Sequence, residues 1–193
     1  MKGFRRKRGL YVAQLDRTER TIMSRVVADT ALLLGTRLDV EQVADDDPLA
    51  ALSWSADGVA EPSDPAVARL LPSASEQDEV AAEFRRLTEA DLRAAKVERL
   101  RMVWGALLAP GERLEVLPDQ AMDWAAALND VRLVLAERLE IVTEADAETV
   151  YEEVFAGRAG DGEAAQVRSA LASLYMMLTW LQESLLTVML KAL

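Results

Sequence analysis

The chain of 193 residues contains no histidine and no cysteine. The two absences remove imidazole as a general base, thiolate as a nucleophile, zinc sites built from His and Cys, and disulfide staples. A di-iron centre made of Glu-x-x-His pairs goes with them. Aromatics are scarce as well. Four Trp, three Tyr and three Phe leave few rings for a sugar-binding platform once a core is built. Chemistry is left to carboxylates, hydroxyls, four lysines and the backbone, and no catalytic residue, metal ligand or cofactor site is assigned.

What is abundant is alanine, 32 residues of it, within a 51% apolar composition. Alanine favours helix and buries little area, so the core expected is Leu, Val and Ala packed between helices. At this length one domain over residues 1–193 is the default. Three parts are distinguished within it: a basic hairpin and first helix over 1–37, acidic Pro-containing loops and short helices over 38–75, and the main helical bundle over 76–193. No apolar targeting segment follows Met1, which points to the cytoplasm. The uncharged stretch 169–182 is too short to span a bilayer and Glu183 interrupts it, so it reads as a core or dimer helix.

The formal charge of −11 is unevenly spread. Residues 1–40 hold nine cations and four carboxylates, whereas residues 41–80 hold one cation and ten carboxylates. The overall acidity argues against indiscriminate binding to nucleic acid or anionic lipid and leaves room for a local basic patch. Within the acidic part, Asp47-Pro48 and Asp64-Pro65 each place a capping carboxylate before a proline at the first helical position. The run Asp45-Asp46-Asp47 lacks the alternate spacing, glycine and distal Glu of a calcium loop, and reads as capping and solvation.

Gly3 to Leu15 reads as two short strands around Lys7-Arg8-Gly9, after which Asp16 and Glu19 form a capping box for a helix that Gly35 stops. Arg17, Arg20 and Arg25 fall on the face of that helix away from its apolar positions. A long helix, or two joined at a Thr88-Asp91 cap, covers Glu76 to Leu108. Leu114 to Leu117 is a strand candidate. Pro118-Asp119 opens the next helix, with Trp124, Leu128, Val131, Leu135 and Leu139 as its stripe. Leu139 to Val142 reads as a second extended piece before the Thr143/Asp146 cap. The last helix runs from Glu163, apolar around most of its circumference, and requires enclosure in the fold or at a subunit interface. The fold class expected is mainly α: a multi-helix bundle with a short N-terminal β-hairpin and one or two additional short strands.

Several groups of residues are candidates for function. Gly157 to Gly162 has neither the order nor the lysine of a phosphate loop and reads as a hinge. Paired carboxylates at Glu152 and Glu153, or Asp123 and Asp130, fall on polar helix faces and read as solvated charge. Asn129, Asp130 and Arg132 interrupt an apolar stretch, as do Gln182 and Glu183; bridging to a neighbouring helix is the structural reading and contact with a ligand or partner the functional one. Arg5, Arg6, Lys7 and Arg8 form a basic hairpin tip, and Arg85, Arg86, Arg93, Lys96 and Arg99 recur along the middle helix. Such groups can lie along phosphates, or pair with the interleaved Glu83, Glu89, Asp91 and Glu98.

Several segments carry a resemblance over nearly the whole chain: DPLAAL from Asp47, PSDPAVARLLP from Pro62, EFRRLTEADLRAAK from Glu83, WAAALNDVRLVLAERLEI from Trp124 and LTWLQESLL from Leu178. The sequence resembles an actinobacterial family catalogued as a domain of unknown function. Genes of that family tend to lie beside the gene for the protease adaptor ClpS, and some members are named AosR, an oxidative-stress transcriptional regulator. Its motif residues stand here as Asp47, Pro48, Pro62, Asp64, Pro65, Glu83, Phe84, Arg85, Arg86, Asp91, Leu92, Arg93, Asn129, Asp130, Arg132, Gln182 and Glu183. The resemblance implies a regulatory protein; with the apolar last helix and the basic groups, the reading is a non-enzymatic homodimer that acts on DNA or the transcription machinery through the basic hairpin and the Arg85 to Arg99 face. The alternative it implies is a protein-interaction module linked to Clp-type proteolysis, docking through the acidic segment. The thiol switch of cysteine-bearing members cannot operate in a chain without cysteine.

Overall fold

The computed structural model describes residues 1–38, 64–156 and 162–192. The capping at Asp47-Pro48, the Asp45 to Asp47 run and the Gly157 to Asp161 part of the hinge lie outside the described residues.

Strands β1 (Lys2–Lys7) and β2 (Leu10–Gln14) form the expected hairpin. Its loop is two residues, Arg8 and Gly9, both at positive φ (52° and 85°), the backbone of a type I′ turn whose twist matches the strands it joins. Alternation sends Tyr11 and Ala13 inward from β2, with Leu15 just beyond it also buried. One extra residue in β1 between Lys2 and Arg5 breaks the register, and Phe4 still reaches the core. Strand β3 (Arg113–Val116) pairs with β2 and completes an antiparallel sheet in the order β1-β2-β3.

Helix α1 (Arg17–Leu33) starts at the Asp16/Glu19 capping box and ends where Gly35 N–H donates to the Leu32 carbonyl and Thr36 N–H to that of Ala31. Helix α2 (Pro65–Leu70) is capped by Asp64, whose carboxylate accepts from Ala66 N–H at 2.9 Å. Helix α3 (Asp78–Leu108) is continuous; Thr88 caps nothing and instead donates to the Phe84 carbonyl. A single 3-10 turn at Pro118–Gln120 leads into α4 (Ala121–Arg138). Helices α5 (Glu144–Phe155), with the Thr143/Asp146 box, and α6 (Glu163–Leu190) follow.

The expected stripe of α4 is buried, and so are Ala121, Ala125, Ala127, Val134 and Ala136 around much of the rest of its circumference. Helix α4 is therefore the central helix, with α1, α2, α3 and α6 around it. Small residues on its second face let those neighbours approach, while each fully buried Leu contributes about 1.5–3 kcal/mol. The inner face of α6 (Leu174, Leu178, Leu181, Leu185) packs on α4 and β1; its outer face leaves Trp180 and Leu186 exposed. Phe4 meets Trp124 edge to face, with ring centroids 6.4 Å apart.

The structure departs from two expectations. Leu139 to Val142 is not a strand: it is the C-terminal close of α4, with Glu140 at φ 61° and Ile141 N–H donating 2.8 Å to the Ala136 carbonyl. Arg20 is not on a solvent face; it is 6% exposed.

Candidate functional site

The hairpin is anchored at its base and free at its tip. Phe4 N–H donates to Ser184 Oγ at 2.9 Å, and Gly3 lies so close to α6 that a Cβ there would come within 2.8 Å of Ser184 Cβ. Only glycine lets the β1 backbone sit against the helix. Beyond that anchor, Arg5, Arg6, Lys7 and Arg8 are all exposed, and none of their side chains has an ion-pair or hydrogen-bond partner among the described residues. The register places Lys2, Arg5 and Lys7 opposite Gln14, Val12 and Leu10, on the outward face of the sheet. Arg113 and Glu115 share that face and pair with each other at 3.7 Å. The outward face thus carries three cations from one strand that have no partner among the described residues, and one neutralised pair.

The α3 cations are placed differently. Arg86 donates to both Glu83 oxygens, Arg93 to Glu89 at 2.6 Å, and Arg99 to Asp123 at 2.9 Å; Arg85 lies 3.6 Å from Glu89. Lys96 reaches α4 and donates 2.6 Å to Asp130. Each of these residues has a carboxylate partner, so α3 presents a laced face and not a row of free cations.

The polar motif of α4 and α6 bridges helices. Arg132 donates to Gln182 Oε1 at 2.5 Å and to Thr179 Oγ1 at 2.9 Å, Gln182 Nε2 donates to the Ala125 carbonyl, and the guanidinium sits 5.4 Å from the Tyr175 ring centroid. Asn129 is half-buried and Glu183 exposed; neither side chain has a hydrogen bond among the described residues. Asp130, expected on a solvated face, is buried between α3 and α4, with Oδ2 lacking a hydrogen-bond partner among the described residues. Burial pushes its carboxyl above the usual aspartate range, and the Lys96 ammonium opposes that without overcoming it.

Sequence reasoning missed Arg20. Its Nε donates to the Leu107 carbonyl, its Nη2 to those of Ala106 and Ala109, and its Nη1 to that of Arg113 at 3.4 Å. The guanidinium takes up carbonyls that the end of α3 leaves without intrahelical donors. Desolvation pulls its pKa below the ordinary arginine value. No group of acidic residues among the described residues is arranged to hold a metal ion.

A family model described as a domain of unknown function, DUF2017, matches residues 1–189. The chain belongs to the DUF2017 family. No curated protein and no solved structure matches it. Many of the motif residues in this DUF2017 chain have structural work: Asp64 and Pro65 start α2, Glu83 and Arg86 pair along α3, Arg93 holds Glu89, and Arg132 and Gln182 join α4 to α6. The hairpin cations of this DUF2017 member hold no such position in the fold.

Proposed function

We propose that this DUF2017 protein is a non-enzymatic regulator that contacts DNA or the transcription machinery through the β1–β2 hairpin. The observation that carries the reading is the contrast between cations. Those of α3 are neutralised by carboxylates, whereas Arg5, Arg6 and Lys7 at the end of β1 and Arg8 in the turn are exposed and have no side-chain partner among the described residues, on a hairpin whose base is fixed on α6. Exposed cations at the tip of a hairpin suit contact with a phosphate backbone, which positions a protein without demanding base readout. The likeness to members named AosR, in a family of actinobacterial chains with ClpS-adjacent genes, supports a regulatory role. A cytoplasmic location belongs to the same reading.

A homodimer through α6 belongs to it as well. Its support is an apolar groove of about 440 Å³ between α1 and α6, lined by Ile22, Val167, Leu171, Leu174 and Met177. No helix among the described residues is long and apolar enough to cross a membrane.

A gel-shift titration with duplex DNA at low salt tests the reading. Retardation by the wild type, and its loss on changing Arg5, Arg6 and Arg8 to Ala, is the expected result; no complex at low salt would exclude DNA as the target.

A further inference from the structure

Between α1 and the turn joining α3 to β3 lies a cleft of about 510 Å³, in the size range of small-molecule sites. One wall is Arg17, Arg20, Thr21 and Ser24, spaced i, i+3, i+4 and i+7 and so stacked on a single face of α1. The other wall is the turn through Pro110, Gly111 and Glu112.

The charges in this cleft do not balance. Arg20 is 6% exposed, and no carboxylate among the described residues pairs with it; its neighbours are carbonyl dipoles. Of its five N–H groups, one is on Nε and two are on Nη2, all bonded to carbonyls, while Nη1 makes a single long bond of 3.4 Å. One Nη1 hydrogen is left over. Arg17 stands at the mouth, exposed and without a side-chain partner among the described residues. The cleft holds two guanidinium groups and one carboxylate, Glu112, which is itself exposed. A buried charge without a counter-ion is costly, and an oxyanion within reach of two guanidinium groups supplies charge-assisted hydrogen bonds.

We propose that this cleft binds the phosphate or carboxylate group of a small molecule between Arg17 and Arg20. The Thr21 and Ser24 hydroxyls, now donating to the helix carbonyls of Arg17 and Thr21, line the same wall and can turn toward the anion. The cleft is tied to the hairpin: the Glu112 carbonyl accepts from Leu15 N–H at 2.9 Å, directly after β2. The site is separate from the hairpin tip and does not depend on DNA binding.

Amide chemical shifts of the full chain, followed during titration with sodium phosphate and separately with sodium succinate against a sodium chloride control at matched ionic strength, test the proposal. Saturable shifts at Ser24, Gly111 and Leu15 are expected with at least one of the two probes. Phosphate alone points to a phosphoryl ligand, and succinate alone to a carboxylate. Arg17→Ala, which removes an exposed side chain with no structural partner among the described residues, weakens that binding roughly tenfold or more while the rest of the spectrum stays native. The triple change of Arg5, Arg6 and Arg8 to Ala leaves it unaltered. No saturable shift with either probe, binding unaffected by Arg17→Ala, or shifts confined to the hairpin and lost in the triple variant would each overturn the site.

Discussion

The guanidinium of Arg20 donates to the Ala106 carbonyl at 2.5 Å, so α1 supplies a C-terminal cap for α3. The same side chain reaches the carbonyls of Leu107 and Ala109. A planar fork with five donors can serve several carbonyls at once, which an ammonium on a flexible stem cannot. Arg20→Lys is expected to lower stability by about 1–2 kcal/mol and Arg20→Met by about 2–4 kcal/mol, because buried carbonyls lose their donors. Urea unfolding followed by circular dichroism measures both. Losses below about 0.5 kcal/mol for Arg20→Met would contradict the capping role.

Gly3 answers for the close approach of β1 to α6. In Gly3→Ala the added methyl meets Ser184 Cβ and Oγ at 2.8 and 2.9 Å, and both belong to a helix that cannot readily yield. A loss of about 1–3 kcal/mol is expected, together with faster amide exchange at Phe4, whose N–H bonds Ser184. Unchanged exchange at Phe4 would mean that the strand does not depend on this contact.

Asp130 gives the stability a pH dependence of defined sign. Its carboxyl is raised in the folded state by burial, so between the ordinary aspartate value of 3.8 and the folded one the native chain holds a proton that the unfolded chain has released. Stability from this group is present at low pH and falls as pH rises through its folded value. Asp130→Asn keeps the shape and an acceptor for Lys96. Its stability relative to wild type should therefore improve as pH rises from the ordinary aspartate value through the folded one. Paired urea titrations at several pH values measure the difference, and a relative decline of the variant over that range would reverse the assignment.

The parts of this fold that were legible in the sequence are those encoded within a few residues. Asp16 with Glu19, Thr143 with Asp146 and Asp64 with Pro65 name helix starts because a cap and its partner lie within one turn. The end of α4 was not legible, since Glu140 occupies the left-handed position where a glycine would have signalled a stop. Nor was the burial of Arg20 and Asp130. A charged residue on a helix takes its role from the neighbour that packs on it, and Leu107 and Lys96 are distant in sequence. For α3 the free basic face and the pairs within the helix were both visible as alternatives, but the pairs of Lys96 and Arg99 with Asp130 and Asp123 of α4 were not. The hairpin tip was legible as a basic turn between two strands, although Lys7 belongs to β1 and the turn is Arg8-Gly9 alone.

The salt dependence of DNA binding tests the role given to that tip most directly. About four backbone contacts imply a slope near −3.6 in a plot of log K against log salt concentration, so that affinity falls about two orders of magnitude between 50 and 200 mM salt. Fluorescence anisotropy with a labelled duplex should give that slope for the wild type, and a slope nearer −1 for the variant with Arg5, Arg6 and Arg8 changed to Ala. Equal slopes for the two proteins would contradict a phosphate-contacting hairpin.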